Sequence, residues 1–117
     1  MTGPVISYRP RSIMLDSSYH KYINSERWKI KREMYFAARG RYCKACRSTS
    51  NIKIHHMSYA NFGNEPLSDL VSLCNPCHVE VHRLHRKAGR QADLRVITMQ
   101  YIKTKTLQRL RRKTPRR

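Results

Sequence analysis

The residues able to do chemistry crowd into one interval, Cys43 to His82. It opens with Cys-Lys-Ala-Cys, runs on for 27 residues, and closes with Cys-Asn-Pro-Cys-His-Val-Glu-Val-His. Cys43, Cys46, Cys74 and Cys77 thus form two Cys-x-x-Cys knuckles, and four thiolates are the donor set of a tetrahedral structural zinc. Beyond the cysteines, His55 and His56 are adjacent, and His78 and His82 stand four apart. A four-residue step puts His78 and His82 on one face of a helix, where two imidazoles can grip one ion. Unlike the sulfur site, such a second centre would keep open coordination positions.

Several elements must position these groups. Ser25 suits an N-cap, with Glu26 in the first turn where the helix dipole favours an acid, and Gly40 suits the stop. Between them Trp28, Ile30, Met34, Tyr35, Ala37 and Ala38 recur at roughly helical spacing, so an amphipathic helix is expected with Trp28 and Tyr35 sharing a core face. Arg27, Lys31, Arg32 and Arg39 lie on its other side, free to meet phosphates or water. After the first knuckle, Ile52-Lys53-Ile54 alternates like a strand. Neighbours on a regular strand point to opposite faces, so His55 and His56 can serve one site only where the strand ends or bulges. The loop from Met57 to Pro66 fits such an ending, and Leu67, Leu70, Val71 and Leu73 bring the chain back as the second arm of a hairpin. A helix then runs from about Cys77 to Lys87 with Pro76 just ahead of it and Gly89 beyond. Arg83, Arg86 and Lys87 on this helix are the candidate nucleic-acid contacts, and His85 is read as a surface residue or a phosphate contact.

The flanks carry less information. Residues 1–15 read as an irregular basic arm broken by Pro4 and Pro10, and a short helical turn is expected from Asp16 to Ile23, with His20 as an isolated surface residue. Leu94, Ile97 and Tyr101 suit a helix packed on the central module, while Val96, Ile97, Thr98 and Tyr101 would also suit a strand; a helix is expected. Residues 111–117 have no apolar content and are expected to be unstructured. The domain proper is therefore placed at 16–110.

At 117 residues the chain is one domain with a modest core, which a zinc staple would reinforce. Thr2, Gly3 and Pro4 precede a basic stretch rather than the apolar centre of a secretory leader, and no apolar run reaches transmembrane length. A reducing cytoplasm is the expected setting, where paired knuckles bind metal more often than they oxidise. Formal charge is +18, from 25 Lys and Arg against 7 Asp and Glu. Such a cation binds polyanions by releasing their counterions, which makes nucleic acid the leading partner class. A membrane surface is disfavoured, since no strongly amphipathic basic helix accompanies the charge.

In order, Cys-x-x-Cys, Ile-His-His-Met-Ser-Tyr, Glu-Pro-Leu-Ser-Asp-Leu-Val-Ser-Leu-Cys and Cys-His-Val-Glu-Val-His resemble the zinc-stapled HNH endonucleases over about residues 22–88. The resemblance implies a small α+β fold. Its ββα-metal (His-Me finger) core would span about 43–88, with an amphipathic helix before it and a basic C-terminal extension after it. It also implies a metal-dependent phosphodiester hydrolase acting on double-stranded DNA, one strand per site, leaving 5′-phosphate and 3′-hydroxyl ends. In that pattern His56 is the general base, and one divalent ion (magnesium, manganese, nickel or zinc) sits on His55, His78 and His82. Asp69 stands where the family usually has an Asn that pins the loop between the strands. A carboxylate can only accept hydrogen bonds, so the support of His56 is put in question. Small free-standing members of the family resemble phage or mobile-element proteins, so a packaging or other DNA-processing protein is a further expected partner, and host cytoplasm the expected location. The sequence carries no dimer signature, and a monomer is expected. The rival reading is a non-catalytic zinc-knuckle nucleic-acid binder whose histidines are structural.

Overall fold

The computed structural model describes residues 17–113; the proposed arm at 1–15 and the end of the tail at 114–117 lie outside the described residues. Among the described residues four helices accompany a two-stranded sheet: α1 (Ser17–Ile23), α2 (Glu26–Arg39), β1 (Ile52–His56), β2 (Leu70–Cys74), α3 (Asn75–Ala88) and α4 (Leu94–Lys113). The chain is thus a small α+β unit with the order strand, strand, helix at its centre. Among the described residues no helix is long and apolar enough to cross a membrane.

Local rules account for α2 and α3. The Ser25 hydroxyl accepts from the Trp28 amide at 3.2 Å, and the Gly40 amide donates to the Phe36 carbonyl at 2.8 Å. Gly40 adopts φ +88°, and a Cβ there would sit 2.7 Å from the Tyr42 ring. Gly40→Ala is therefore expected to cost about 1–3 kcal/mol, read as a lower thermal midpoint with the zinc content unchanged. Trp28, Tyr35 and Phe36 are buried, whereas Ile30 and Met34 are 58% and 51% exposed. At about 100° per residue the latter two fall on the side of α2 turned away from Trp28 and Tyr35, so the inward stripe is narrower than the apolar spacing implied. Helix α3 begins at Asn75, two residues before the expected start, with Pro76 inside its first turn and Gly89 closing it.

The antiparallel register runs from Ile52 opposite Cys74 to His56 opposite Leu70. Directly opposed residues share a face. Ile54, His56 and Leu70 turn toward α2, where Ile54 and Leu70 join Trp28, Tyr35 and Phe36 in one core cluster. Val71 and Leu73 occupy the other face and pack with Cys43, Cys77, Val81 and Leu94 in a second cluster. The sheet thus separates two small cores, one under α2 and one under α3 and α4. Among the described residues β1 pairs only with β2, so its outer edge carries no further strand.

Helix α4 is longer than the apolar spacing alone indicated. The Asp93 carboxylate accepts from the amides of Arg95 and Val96 at 2.9 and 3.4 Å and so caps the start. At the other end α4 continues through Arg111, Arg112 and Lys113, three residues into the segment expected to be unstructured. Cations in a last turn complement the helix dipole, which is the physical reason the basic run can remain helical.

Candidate metal centres and active-site cleft

The sulfur cluster assembles where the knuckle of Cys43 and Cys46 meets the junction of β2 and α3. The Lys44 amide donates to the Ser72 carbonyl at 3.0 Å, and the Ser72 hydroxyl donates to the Tyr42 carbonyl at 2.6 Å. The Ser72 amide in turn donates to the Tyr35 hydroxyl at 3.0 Å, tying the knuckle to α2. From the far side Arg109 of α4 donates to the Ala45 carbonyl at 2.8 Å. All four Sγ atoms lie within 4.8 Å of one another, and Cys46 and Cys74 approach to 3.6 Å. That separation is far beyond a disulfide bond and close to the edge of about 3.8 Å expected of a tetrahedron with metal–sulfur bonds of about 2.3 Å. Burial works against the Cys43 thiolate, but the amides of Cys46, Cys74 and Ala45 outweigh it and bring the thiol down to about 7. The four cysteines can hold a structural zinc.

A second group forms where β1 faces α3. His55 projects from β1 toward α3, where His78 and His82 stand one turn apart; the three rings offer ligand atoms within 4.8 Å of one another. The Nε2 atoms of His78 and His82 are 3.1 Å apart, and the His55 ring centroid is 5.1 Å from each of theirs. Metal–nitrogen bonds of about 2.0–2.1 Å would set tetrahedral ligands about 3.3 Å apart, so the pair fits one ion. His55 is fully buried, and its tautomer follows from its neighbour. The Thr98 hydroxyl spends its one proton on the Leu94 carbonyl at 2.7 Å, so toward His55 Nε2, at 3.0 Å, it can only accept. Nε2 is then protonated, and Nδ1 is left as a bare lone pair. Among the described residues Nδ1 is the one buried side-chain nitrogen or oxygen with no hydrogen-bond partner. Burial first, and the neighbouring His78 and His82 second, hold the His55 imidazolium well below its usual range, so the ring is neutral. An orphaned acceptor beside two further imidazoles is the arrangement a divalent cation would complete.

His56, on the opposite face, is sandwiched between Trp28 and Tyr59, with ring centroids 4.9 and 5.1 Å away and interplanar angles of 21° and 19°. Its Nε2 meets Oε2 of Glu65 at 2.5 Å, and the other oxygen of Glu65 accepts from the Tyr22 hydroxyl. Burial alone would raise the Glu65 carboxyl; the bonds from His56 and Tyr22 overcome it and hold the group below the usual carboxylate range. The loop carrying Glu65 is itself fastened to α2, with Lys31 donating to the Glu65 carbonyl and Arg27 to the Gly63 carbonyl, both at 2.7 Å.

Opposite faces nevertheless share one opening. A cleft of about 410 Å³ runs along the outer edge of β1, with α2 on one side and α3 on the other, and His56, His78 and His82 all line it. Its rim adds Arg32 and Lys53. The termination of β1 at His56 supplies the strand ending that two adjacent histidines require.

Other candidates fall elsewhere. Asp69 is buried, accepts from the Asn61 amide at 3.2 Å and from Arg95 at 2.6 Å, while its carbonyl accepts from the Met57 amide at 2.8 Å. The loop between the strands is therefore pinned with the roles exchanged: the loop residue supplies the amide and position 69 the acceptor. Arg83 is exposed and engaged with Glu80 at 2.7 Å, and Arg86 and Lys87 are exposed on the same helix; none of the three lines the cleft. His85 is not the surface residue its position suggested: it is 6% exposed and its Nε2–H donates to the Ala92 carbonyl at 2.8 Å, closing the turn after α3. Glu65 and Thr98 escaped sequence reasoning. The one available signal for Glu65 was scarcity, as one of only seven acids in so basic a chain. Comparison with protein-family models, curated proteins and solved structures returns no match.

Proposed function

We propose that this chain is a metal-dependent endonuclease of the HNH type, built on a ββα-metal core, that hydrolyses phosphodiester bonds in double-stranded DNA and nicks one strand per site. The observation that carries this reading is the convergence of His55, His78 and His82, one of them with an orphaned buried nitrogen, beside a cleft that His56 also lines.

The division of labour follows from the side chains. Glu65 occupies Nε2 of His56, which leaves Nδ1 to take a proton from a water in the cleft. Trp28 and Tyr59 clamp the ring from both sides, so little orientational freedom is left to lose on the way to the transition state. Arg32 and Lys53 at the rim place positive charge beside a bound phosphate backbone. A divalent ion on His55, His78 and His82 would supply Lewis-acid polarisation of the phosphate and charge stabilisation at the leaving oxygen. The sulfur site, with all four positions taken by cysteine, has no vacant position for substrate and serves the scaffold.

The deciding experiment is relaxation of supercoiled plasmid with and without EDTA, across magnesium, manganese, nickel and zinc. Divalent-dependent nicking supports the reading. Plasmid binding without any cut, under every metal, would establish the zinc-knuckle binder instead. Arg32→Ala and Lys53→Ala are each expected to weaken DNA binding and to flatten the slope of log affinity against log salt by about 0.9, measured by titration at several salt concentrations.

A further inference from the structure

We infer that Glu65 is a positioning residue for His56, fixing the imidazole in the Nε2-protonated tautomer so that Nδ1 is the nitrogen that accepts the proton. The inference rests on the nuclease reading for its catalytic consequence, but its structural half stands on contacts alone.

Four observations converge on it. Glu65 is 1% exposed, in a chain where acids are few, and a buried carboxylate persists only when donors satisfy it. Both of its oxygens are in fact engaged, Oε2 by His56 and Oε1 by the Tyr22 hydroxyl. The bonds from His56 and Tyr22 outweigh burial and keep Glu65 ionised, and an ionised carboxylate has no proton to give, so it can only accept from the imidazole, which decides where the ring proton sits. Finally, Lys31 and Arg27 fasten the backbone of the same loop to α2, so the carboxylate is delivered by a fixed segment. The two adjacent histidines are thereby set in the same tautomeric form by different partners: Thr98 on α4 for His55 and Glu65 on the loop for His56. One arrangement leaves Nδ1 bare for a cation, the other leaves Nδ1 bare for a proton.

The test uses the zinc-loaded full chain carrying isotope-labelled histidine. Long-range proton–nitrogen correlation is expected to show His56 protonated at Nε2 and bare at Nδ1, with Glu65→Gln turning this into a mixture of tautomers. In the plasmid assay Glu65→Gln is expected to lower kcat on the order of 10²-fold with KM unchanged, and to have no further effect in a His56→Ala background. Tyr22→Phe, which releases only the second oxygen, is expected to lower kcat less than Glu65→Gln does. A wild-type His56 protonated on Nδ1 overturns the assignment, as does an equal fold-loss from Glu65→Gln with and without His56. The wild-type spectrum needs no variant, so a Glu65→Gln chain that fails to fold leaves the test in force. A wild-type chain that holds the Nε2-protonated tautomer yet never cuts under any metal overturns the nuclease reading while keeping Glu65 as the residue that sets His56.

Discussion

His56→Ala is expected to lower divalent-dependent nicking by about 10²–10⁴-fold, to a small residual rate, while DNA affinity changes little. The split is the informative part. On the proposed reading the charge that would meet DNA sits on Arg32 and Lys53, and the residues that would hold the cation are His55, His78 and His82; none of these is removed with the His56 ring. Deleting that ring also strands the Glu65 carboxylate and empties the space between Trp28 and Tyr59, and breaking a buried pair from one side costs about 3–5 kcal/mol. The variant must therefore be shown folded at the assay temperature by circular dichroism. A His56→Ala, Glu65→Gln double variant, with the stranded charge removed, is expected to recover part of the lost stability and none of the activity. Cutting by either folded variant at the wild-type rate would remove His56 from the chemistry.

Cys74→Ser is expected to unfold the domain outright. Structural zinc in small modules contributes apparent binding free energies of about 10–16 kcal/mol, whereas small domains are stable by only about 5–15 kcal/mol in total. The position of Cys74 makes the effect larger than the loss of one ligand. It ends β2, caps α3 and stands opposite Ile52, so the metal it would hold pins strand, helix and knuckle at one point. Zinc content by atomic absorption and the thermal transition should disappear together. A Cys74→Ser chain that keeps both would show that the four cysteines are not a metal staple.

The parts of the fold legible in the sequence are those whose causes are local. Ser25, Gly40, Pro76 and Gly89 announce helix ends through backbone preferences that act within a few residues. The two knuckles announce the sulfur cluster through spacing. His78 and His82 share a face because a helix repeats, and the structure brings them to His55 as the pattern implied. What the sequence concealed depends on residues that meet only in three dimensions. Thr98 reaches His55 across 43 positions, and nothing in Arg95-Val96-Ile97-Thr98 marks one hydroxyl as a tautomer setter. His85 repeats the helical spacing of His82 but rolls inward to a carbonyl beyond the helix end, which periodicity cannot foresee. Asp69 looked like a weakened version of an asparagine because the compensating amide, on Asn61, lay eight residues away in a loop with no regular period.

Helix α4 touches both centres: near its start Thr98 meets His55, and three turns later Arg109 holds the knuckle between Cys43 and Cys46. The same rod is thus a bracket for the sulfur site and an alignment pin for the imidazole site. The two candidate metal sites thus share one supporting helix and are not independent of each other. A change at the sulfur site would therefore reach the His55 site through α4 as well as through the sheet.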